Sequence, residues 1–440
     1  MRLRHKNIPR PGPGGWTNWA GNQSASPLLV ERPTTEEQLV DAVRRSVLAG
    51  RQVRAVGSGH SFTAAAVADQ TLLDLSAYSR VLSVEQRTGR VTVEAGITLA
   101  DLNEKLDKLG LAMANLGDIA YQTISGAIST GTHGTGARLG ALATQVVEMT
   151  LVTGSGQLTT LTGEELRLAV VGLGAFGIIS TLTLQCVPAF RLHVVNQPMK
   201  LDAVFAQFDE LVDTNDHFEF YWVPHTRWAL TKRNNRTDEP LRPRSKRSAF
   251  ANDILFENVA FGALTKVGKL LPKAIPRLAT AAPSSGRVEF VDRSHHVFVS
   301  PRLVKFVEQE YAIPRAAVPD ALQEITEMVD RRGYKISFPV EVRVTAPDDV
   351  ALSTAYGRES GYIAVHMTKG SDHTAYFADV EAILRAHQGR PHWGKLHTRT
   401  YEDLADAYPR FEDARALRER LDPSRVFSND YANRMLGPIV

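Results

Sequence analysis

The stretch from Asn115 to Gly136 (Asn-Leu-Gly-Asp-Ile-Ala-Tyr-Gln-Thr-Ile-Ser-Gly-Ala-Ile-Ser-Thr-Gly-Thr-His-Gly-Thr-Gly) constrains the fold of this chain more than any other part. Five glycines among small hydroxyl residues make a poor core and a poor helix, because glycine loses the most backbone freedom on ordering and has no side chain to bury. Such a composition makes sense where backbone must lie against a large flat ligand; the plain alternative is a loop-rich connection. The rest of the chain has ordinary means to enclose it. Of 440 residues, 43% are apolar and 22% charged, enough apolar surface to offset chain entropy and set disorder aside. At about 150 residues per domain the length suggests two or three domains.

Lys and Arg number 51 against 48 Asp and Glu, a net charge of +3 that makes no general case for a nucleic-acid partner. The single cysteine, Cys186, excludes an internal disulfide framework and a zinc site built on paired thiolates, and no metal is expected. Residues 1–6 are basic, but Pro9 to Trp16 follow where a secretory signal needs an apolar run. Leu168 to Phe190 holds no charged residue and is long enough to suggest a membrane span. Gly172, Gly174, Gly177 and Pro188 interrupt it, and residues 178–184 alternate as a strand does, so it reads as a helix end, a turn and a buried strand. A cytoplasmic protein without an integral membrane segment is expected, with peripheral membrane contact left open.

Alternating elements run to about residue 188. Leu28 to Val30 reads as a strand, and Thr34 and Thr35, three residues before Glu37 and Gln38, read as a helix start. Leu39, Val40, Val43, Val47 and Leu48 keep helical spacing until Gly50, and Val53 to Val56 is the next strand. Residues 81–84 and 91–94 form a hairpin, Thr98 opens a helix to about Leu109, and Val146 to Val152 is a strand. Thr162 with Glu165 is a further capping pair. Beyond Phe190, aromatic stretches such as Phe218 to Trp222 suggest strands of a second sheet. The seven basic residues between Lys232 and Arg247 read as a solvated loop. Gly172-Leu-Gly-Ala-Phe-Gly177 matches G-x-G-x-x-G, but it follows a helix and precedes a strand, the reverse of a dinucleotide fold, so a Rossmann site is rejected.

Three segments carry chemistry. Val56-Gly57-Ser58-Gly59-His60-Ser61 follows a strand, and its successive backbone N–H groups suit a pyrophosphate. From Ile336 to Val344 apolar residues alternate, so Glu341 and Arg343 project together from the other face of a strand. They either orient a hydroxyl and stabilise negative charge or form an exposed ion pair worth at most about 1 kcal/mol. His366 and Thr368 share one face of the strand that runs through residues 362–368, and Lys395 closes Pro391-His-Trp-Gly-Lys395.

Together these segments resemble the FAD-linked oxidases of the vanillyl-alcohol-oxidase (PCMH) type, and within them the sugar-1,4-lactone oxidoreductases. The matching pieces are Asn18 to Asn22, Val56 to Phe62, Ser125 to Gly136, Leu173 to Gly177, Glu341-x-Arg343, Ala355 to Arg358 and His392 to Lys395, in family order. The resemblance implies an α+β fold. An FAD-binding domain would span 16–190 and a substrate cap with a large antiparallel sheet 191–390, with 391–440 returning to the FAD domain. It implies FAD joined to His60 through the flavin 8α-methyl and lined by Val56, Gly57, Ser58, Gly59, Ser61, Gly117, Asp118, Thr123, Gly126, Thr130, Gly131, Thr132, His133 and Ile179. Glu341 and Arg343 would clamp the reacting hydroxyl, His366 would accept or orient its proton, and Lys395 would stabilise the reduced ring; Asp118 and Thr368 join them on the substrate. The partners implied are a small sugar lactone such as L-gulono-1,4-lactone or D-arabinono-1,4-lactone, oxidised at C2 to an ascorbate-type product, and an electron acceptor. Gly117 has no side chain to obstruct oxygen, which favours dioxygen and release of hydrogen peroxide over cytochrome c or a quinone. Alditol oxidases share His60, Glu341, Arg343 and Lys395, and Gly117-Asp118 favours the lactone branch over that alternative.

Overall fold

A computed structural model describes residues 9–12, 15–245, 271–277, 286–300 and 304–437. The basic residues 1–6 and, from the basic run, Lys246 and Arg247 lie outside the described residues.

The first unit forms as its pattern dictates. Strand Leu29–Glu31 leads to helix Glu36–Leu48, where the Thr35 hydroxyl caps the Gln38 N–H and Leu39, Val40 and Val43 are buried. Strands Val53–Val56 and Leu29–Glu31 both pair in parallel with the central strand Thr71–Asp74. A five-stranded antiparallel sheet follows, in the order Leu158–Leu161, Val146–Val152, Ile178–Gln185, Arg90–Glu94, Val81–Glu85. The uncharged stretch resolves into helix Gly163–Ala169, a turn, and strand Ile178–Gln185 inside that sheet. No helix among the described residues is long and apolar enough to cross a membrane.

Four local expectations need correction. The glycine-rich stretch holds a short helix, Ile124–Ser129, because Ile124, Ala127 and Ile128 fall at helical spacing and are wholly buried, and that burial outweighs poor propensity. Thr162 precedes a helix but makes no capping bond with its side chain. The basic run is not a loop at its start, since strand Trp228–Thr237 carries Lys232, Arg233 and Arg236 between buried Ala229, Thr231 and Asn234. The strand bearing Glu341 begins at Val340 rather than Ile336, because Pro339 has no N–H to give to a ladder.

The second sheet has eight strands, all pairs antiparallel, in the order Val288–Arg293, Arg191–Lys200, Trp228–Thr237, His217–Trp222, Val340–Thr345, Ser360–Thr368, Phe306–Pro314, Arg390–Pro391. One face packs Phe218, Phe220, Val342, Ile363 and Val365 against helices Val318–Arg332 and Thr374–Ala386. On the opposite face, register sets Tyr221, Glu341, Ala364 and Glu310 side by side across four strands. Toward the C-terminus, Leu404, Phe411, Leu417 and Met435 are buried with Val91, Ile124 and Leu182, so late residues complete the core of the early sheet.

Candidate active site

Two cavities meet at His60. One is a groove of about 910 Å³ between the turn at 57–61, the Ile124–Ser129 helix and residues 173–179; the other is a polar chamber of about 790 Å³ under the eight-stranded sheet.

The groove is built from backbone. Strand Val53–Val56 ends in Gly57-Ser58-Gly59, with Gly59 at φ +64°. A Cβ at Gly57 would stand 2.3 Å from Thr123 Oγ1, so the turn and the capping threonine fit together only with glycine. Among the described residues no backbone carbonyl or side chain accepts from the N–H groups of residues 57–61. A run of uncommitted donors along a groove walled by Val56, Ser58, Thr123, Gly126, Thr130 and Ile179 fits a dinucleotide cofactor, whose pyrophosphate needs such donors. Gly131, at φ +73°, turns the chain just after the helix and would bring a Cβ 3.7 Å from Trp393 and Val171. His60 stacks on Trp19, with ring centroids 5.6 Å apart. Burial, helped by the nearby Lys395 charge, pushes His60 down to about 4, so near neutral pH the ring is uncharged and keeps a nitrogen lone pair.

The chamber is lined by charge. Glu341 and Arg343 are buried, 7% and 8% exposed, which removes the exposed-pair alternative for them. Arg343 Nη2 is in contact with Glu341, Nε donates to Glu219 Oε2 at 2.8 Å, and Nη2 lies 3.8 Å from Asp118. Burial opposes its charge, yet Glu341, Glu219 and Asp118 outweigh that and hold it well above the usual arginine range. Tyr221 donates its hydroxyl to Glu341 Oε1 at 3.1 Å. Burial pushes Glu219 up, but Arg343 and Lys232 (Nζ 3.3 Å away) pull it below the usual carboxylate range.

Facing this group across the floor are two further acids, Glu308 and Glu310, on strand Phe306–Pro314. Lys395 Nζ is in contact with Glu308 and 4.0 Å from Glu310. His366 Nε2 lies 3.4 Å from Glu308, while its Nδ1 donates to the Pro339 carbonyl at 3.1 Å. His133 donates from Nδ1 to the Gly134 carbonyl at 2.9 Å and places Nε2 3.5 Å from Glu310. Burial raises both acids, but Lys395 and His366 bring Glu308 down to about 2, and His133 and Lys395 take Glu310 well below the carboxylate range. Gly117, Asp118 and Thr132 complete the wall. Thr368 lies at the end of the strand that carries His366 and is not part of the chamber wall.

His133, Glu310 and His392 bring potential ligand atoms within 4.8 Å of one another. They do not suit a cation. His392 Nδ1 accepts the Gly394 N–H at 3.0 Å, so the neutral ring carries its proton on Nε2 and has no lone pair to spare. Burial pushes this ring down to about 3, which keeps it in that neutral form.

Glu308, Glu310 and His392 also line the chamber, and Glu219 and Tyr221 bond to its Arg343 and Glu341, although the sequence pattern does not single these five out as site residues. A signal for two of them was present: Phe306-Val-Glu-Gln-Glu-Tyr-Ala-Ile313 sets two acids at i, i+2 in an otherwise largely apolar run. Glu219 and Tyr221 alternate likewise within Phe218 to Trp222.

A family model described as D-arabinono-1,4-lactone oxidase matches residues 182–435, and one described as an FAD binding domain matches residues 27–162. The L-gulono-1,4-lactone dehydrogenase of Mycobacterium tuberculosis (strain H37Rv) is 44% identical over 427 residues, covering 96% of this chain and 99% of its own. The L-gulonolactone oxidase of Bos taurus is 35% identical (95% of this chain, 97% of that one), and the alditol oxidase of a Streptomyces species 31% (96% and 98%). Among solved structures, cholesterol oxidase from Brevibacterium sterolicum superposes with a TM-score of 0.81 at 18% identity over 99% of each chain, a likeness of fold alone.

Proposed function

Because the chain belongs to the D-arabinono-1,4-lactone oxidase family of FAD-dependent oxidoreductases, we propose that it oxidises a sugar 1,4-lactone, L-gulono-1,4-lactone or a close relative, at C2. The observation that carries this reading is the buried Glu341–Arg343 pair in a polar chamber that opens directly onto His60. Bound FAD supplies the acceptor for the hydride that leaves the carbon. The protein's own residues supply placement and charge. Arg343, kept charged by three carboxylates, holds the oxygen of the reacting hydroxyl and favours negative charge on it. Glu341, steadied by Tyr221, accepts that proton. Lys395 adds a fixed positive charge to the same chamber. His60 is the residue assigned to the covalent attachment, and its neutral ring supports that role. The product is a 2-keto lactone that tautomerises to an ascorbate-type ene-diol.

Dioxygen is the proposed acceptor, with hydrogen peroxide released, on the strength of the missing side chain at Gly117. A dehydrogenase using cytochrome c or a quinone is the second reading, favoured by the name of the 44% identical relative. The test is anaerobic mixing of the holoenzyme with L-gulono-, L-galactono- and D-arabinono-1,4-lactone, and with xylitol and sorbitol, followed by air. Bleaching of the yellow colour by a lactone and not by the polyols is expected, with colour and peroxide returning in air. No bleaching by any lactone overturns the substrate reading, and colour that returns only with cytochrome c or a quinone overturns the oxidase one.

A further inference from the structure

Glu308 and Glu310 take no part in the steps just described, yet they are among the most committed groups in the chamber. Both are buried, 6% and 5% exposed, at i, i+2 on one face of strand Phe306–Pro314. Two acids in one apolar strand are costly to bury unless each is paired, and each is. Glu308 is in contact with Lys395 and lies 3.4 Å from His366, while Glu310 lies 3.5 Å from His133. The same two residues also pin the loop that carries the lysine. His392 N–H donates to the Glu310 carbonyl at 2.9 Å, and Leu396 N–H to the Glu308 carbonyl at 2.8 Å. Backbone and side chain of one strand thus fix both the path of the 392–396 loop and the end of Lys395.

We propose that Glu308 is a positioning residue of the reaction, holding the Lys395 ammonium and the His366 ring in place around the chamber. The proposal rests on the reading of the chamber as the lactone-oxidising site. Several groups act on Lys395. Glu308 and Glu310 face it from their strand, Glu341 from strand Val340–Thr345 of the same sheet, His60 from the glycine turn and His392 from its own loop; Arg343 and Asp118 line the same chamber, and His366 and His133 act through the two acids. Burial works to discharge the ammonium, and the carboxylates overcome it, with Glu308 the largest contributor. Glu308, in contact with the ammonium, therefore raises the pH at which Lys395 gives up its proton, while Arg343 stays charged.

The test uses the holoenzyme with Glu308→Gln, which keeps shape and removes charge, and Glu308→Asp, which keeps the charge. In Glu308→Gln the basic limb of the kcat profile moves to lower pH and kcat falls about 10-fold to 100-fold, with KM within about 2-fold. Glu308→Asp keeps the limb at its wild-type position with a smaller loss. A second readout needs no substrate. The reduction potential of the bound cofactor, measured by dye equilibration across pH, breaks where Lys395 gives up its proton, and that break moves to lower pH in Glu308→Gln. An unmoved break in Glu308→Gln overturns the proposal whatever the lactone panel gives, and a wild type that no lactone bleaches counts against the functional reading alone. If Glu308→Gln does not fold, Glu308→Asp decides: wild-type kcat there overturns the proposal, and a reduced kcat with an unmoved limb supports it.

Discussion

Before any substrate arrives, Glu341 already has two partners, the Arg343 guanidinium and the Tyr221 hydroxyl. Replacing it by glutamine keeps its shape and its contact with Tyr221 but ends its capacity to take a proton. Glu341→Gln is expected to slow lactone-driven bleaching by about 10²-fold or more, read by anaerobic rapid mixing. The melting temperature should change little, because Arg343 retains Glu219 at 2.8 Å and Asp118 at 3.8 Å. At His60 the expected outcome concerns attachment. Acid precipitation of the wild type should carry the yellow colour into the pellet, and His60→Ala should release it to the supernatant. Alternation in the sequence was enough to put Glu341 and Arg343 on one face of one strand. It did not reveal whether that face was wet or buried, since burial depends on what the face is folded against. Glu308 and Glu310 are visible in the sequence as two acids at i, i+2 in a largely apolar run, but that pattern alone does not tell a buried pair from the usual solvent-facing one.

Among the elements, those with local instructions were readable. Helix Glu36–Leu48 has its Thr35 cap, its apolar stripe and its glycine stop, and the flanking strands are short apolar runs. The Ile124–Ser129 helix carries the opposite lesson, because three buried apolar side chains hold a glycine- and serine-rich segment helical only once the rest of the core is present. Strand Trp228–Thr237 was hidden by its charges, and only pairing with two neighbours makes it a strand. The close fit of the 57–61 turn against Thr123 also belongs to this scale. Gly57→Ala puts a methyl group 2.3 Å from Thr123 Oγ1, so that hydroxyl must give way and its cap on the Gly126 N–H is disturbed. A loss of about 1–3 kcal/mol in stability is expected, with a lower ratio of visible to ultraviolet absorbance in the purified protein as cofactor content drops.

For the whole molecule, buried neutral histidines away from the chamber set a response to acid. Burial pushes His217 down to about 4 and His397 to about 3, whereas an unfolded histidine titrates near 6.5. Between those values the unfolded chain binds protons that the folded one refuses, so stability is complete above about 6.5 and falls as pH drops toward 4. The melting temperature should therefore decline steadily through this window, and His397→Gln should make the slope shallower.

The N- and C-terminal parts of the chain are tied together beside the groove at residues 57–61. Val53 N–H donates to the Val426 carbonyl at 2.8 Å, and Asn429 Nδ2 donates to the carbonyls of Ala64 and Val67, each at 2.9 Å. Arg54 spans 373 residues to donate to the Phe427 carbonyl at 2.7 Å, while its other donors hold the carbonyls of Ala65, Leu173 and Gly174. Synthesis runs from the N-terminus, so the glycine turn emerges from the ribosome long before residues 426–429 exist to brace it. On the proposed reading of that groove as the FAD site, a chain that ends before residue 426 is expected to hold the cofactor less well than the full chain, because the bonds to Val53, Arg54, Ala64 and Val67 are then missing.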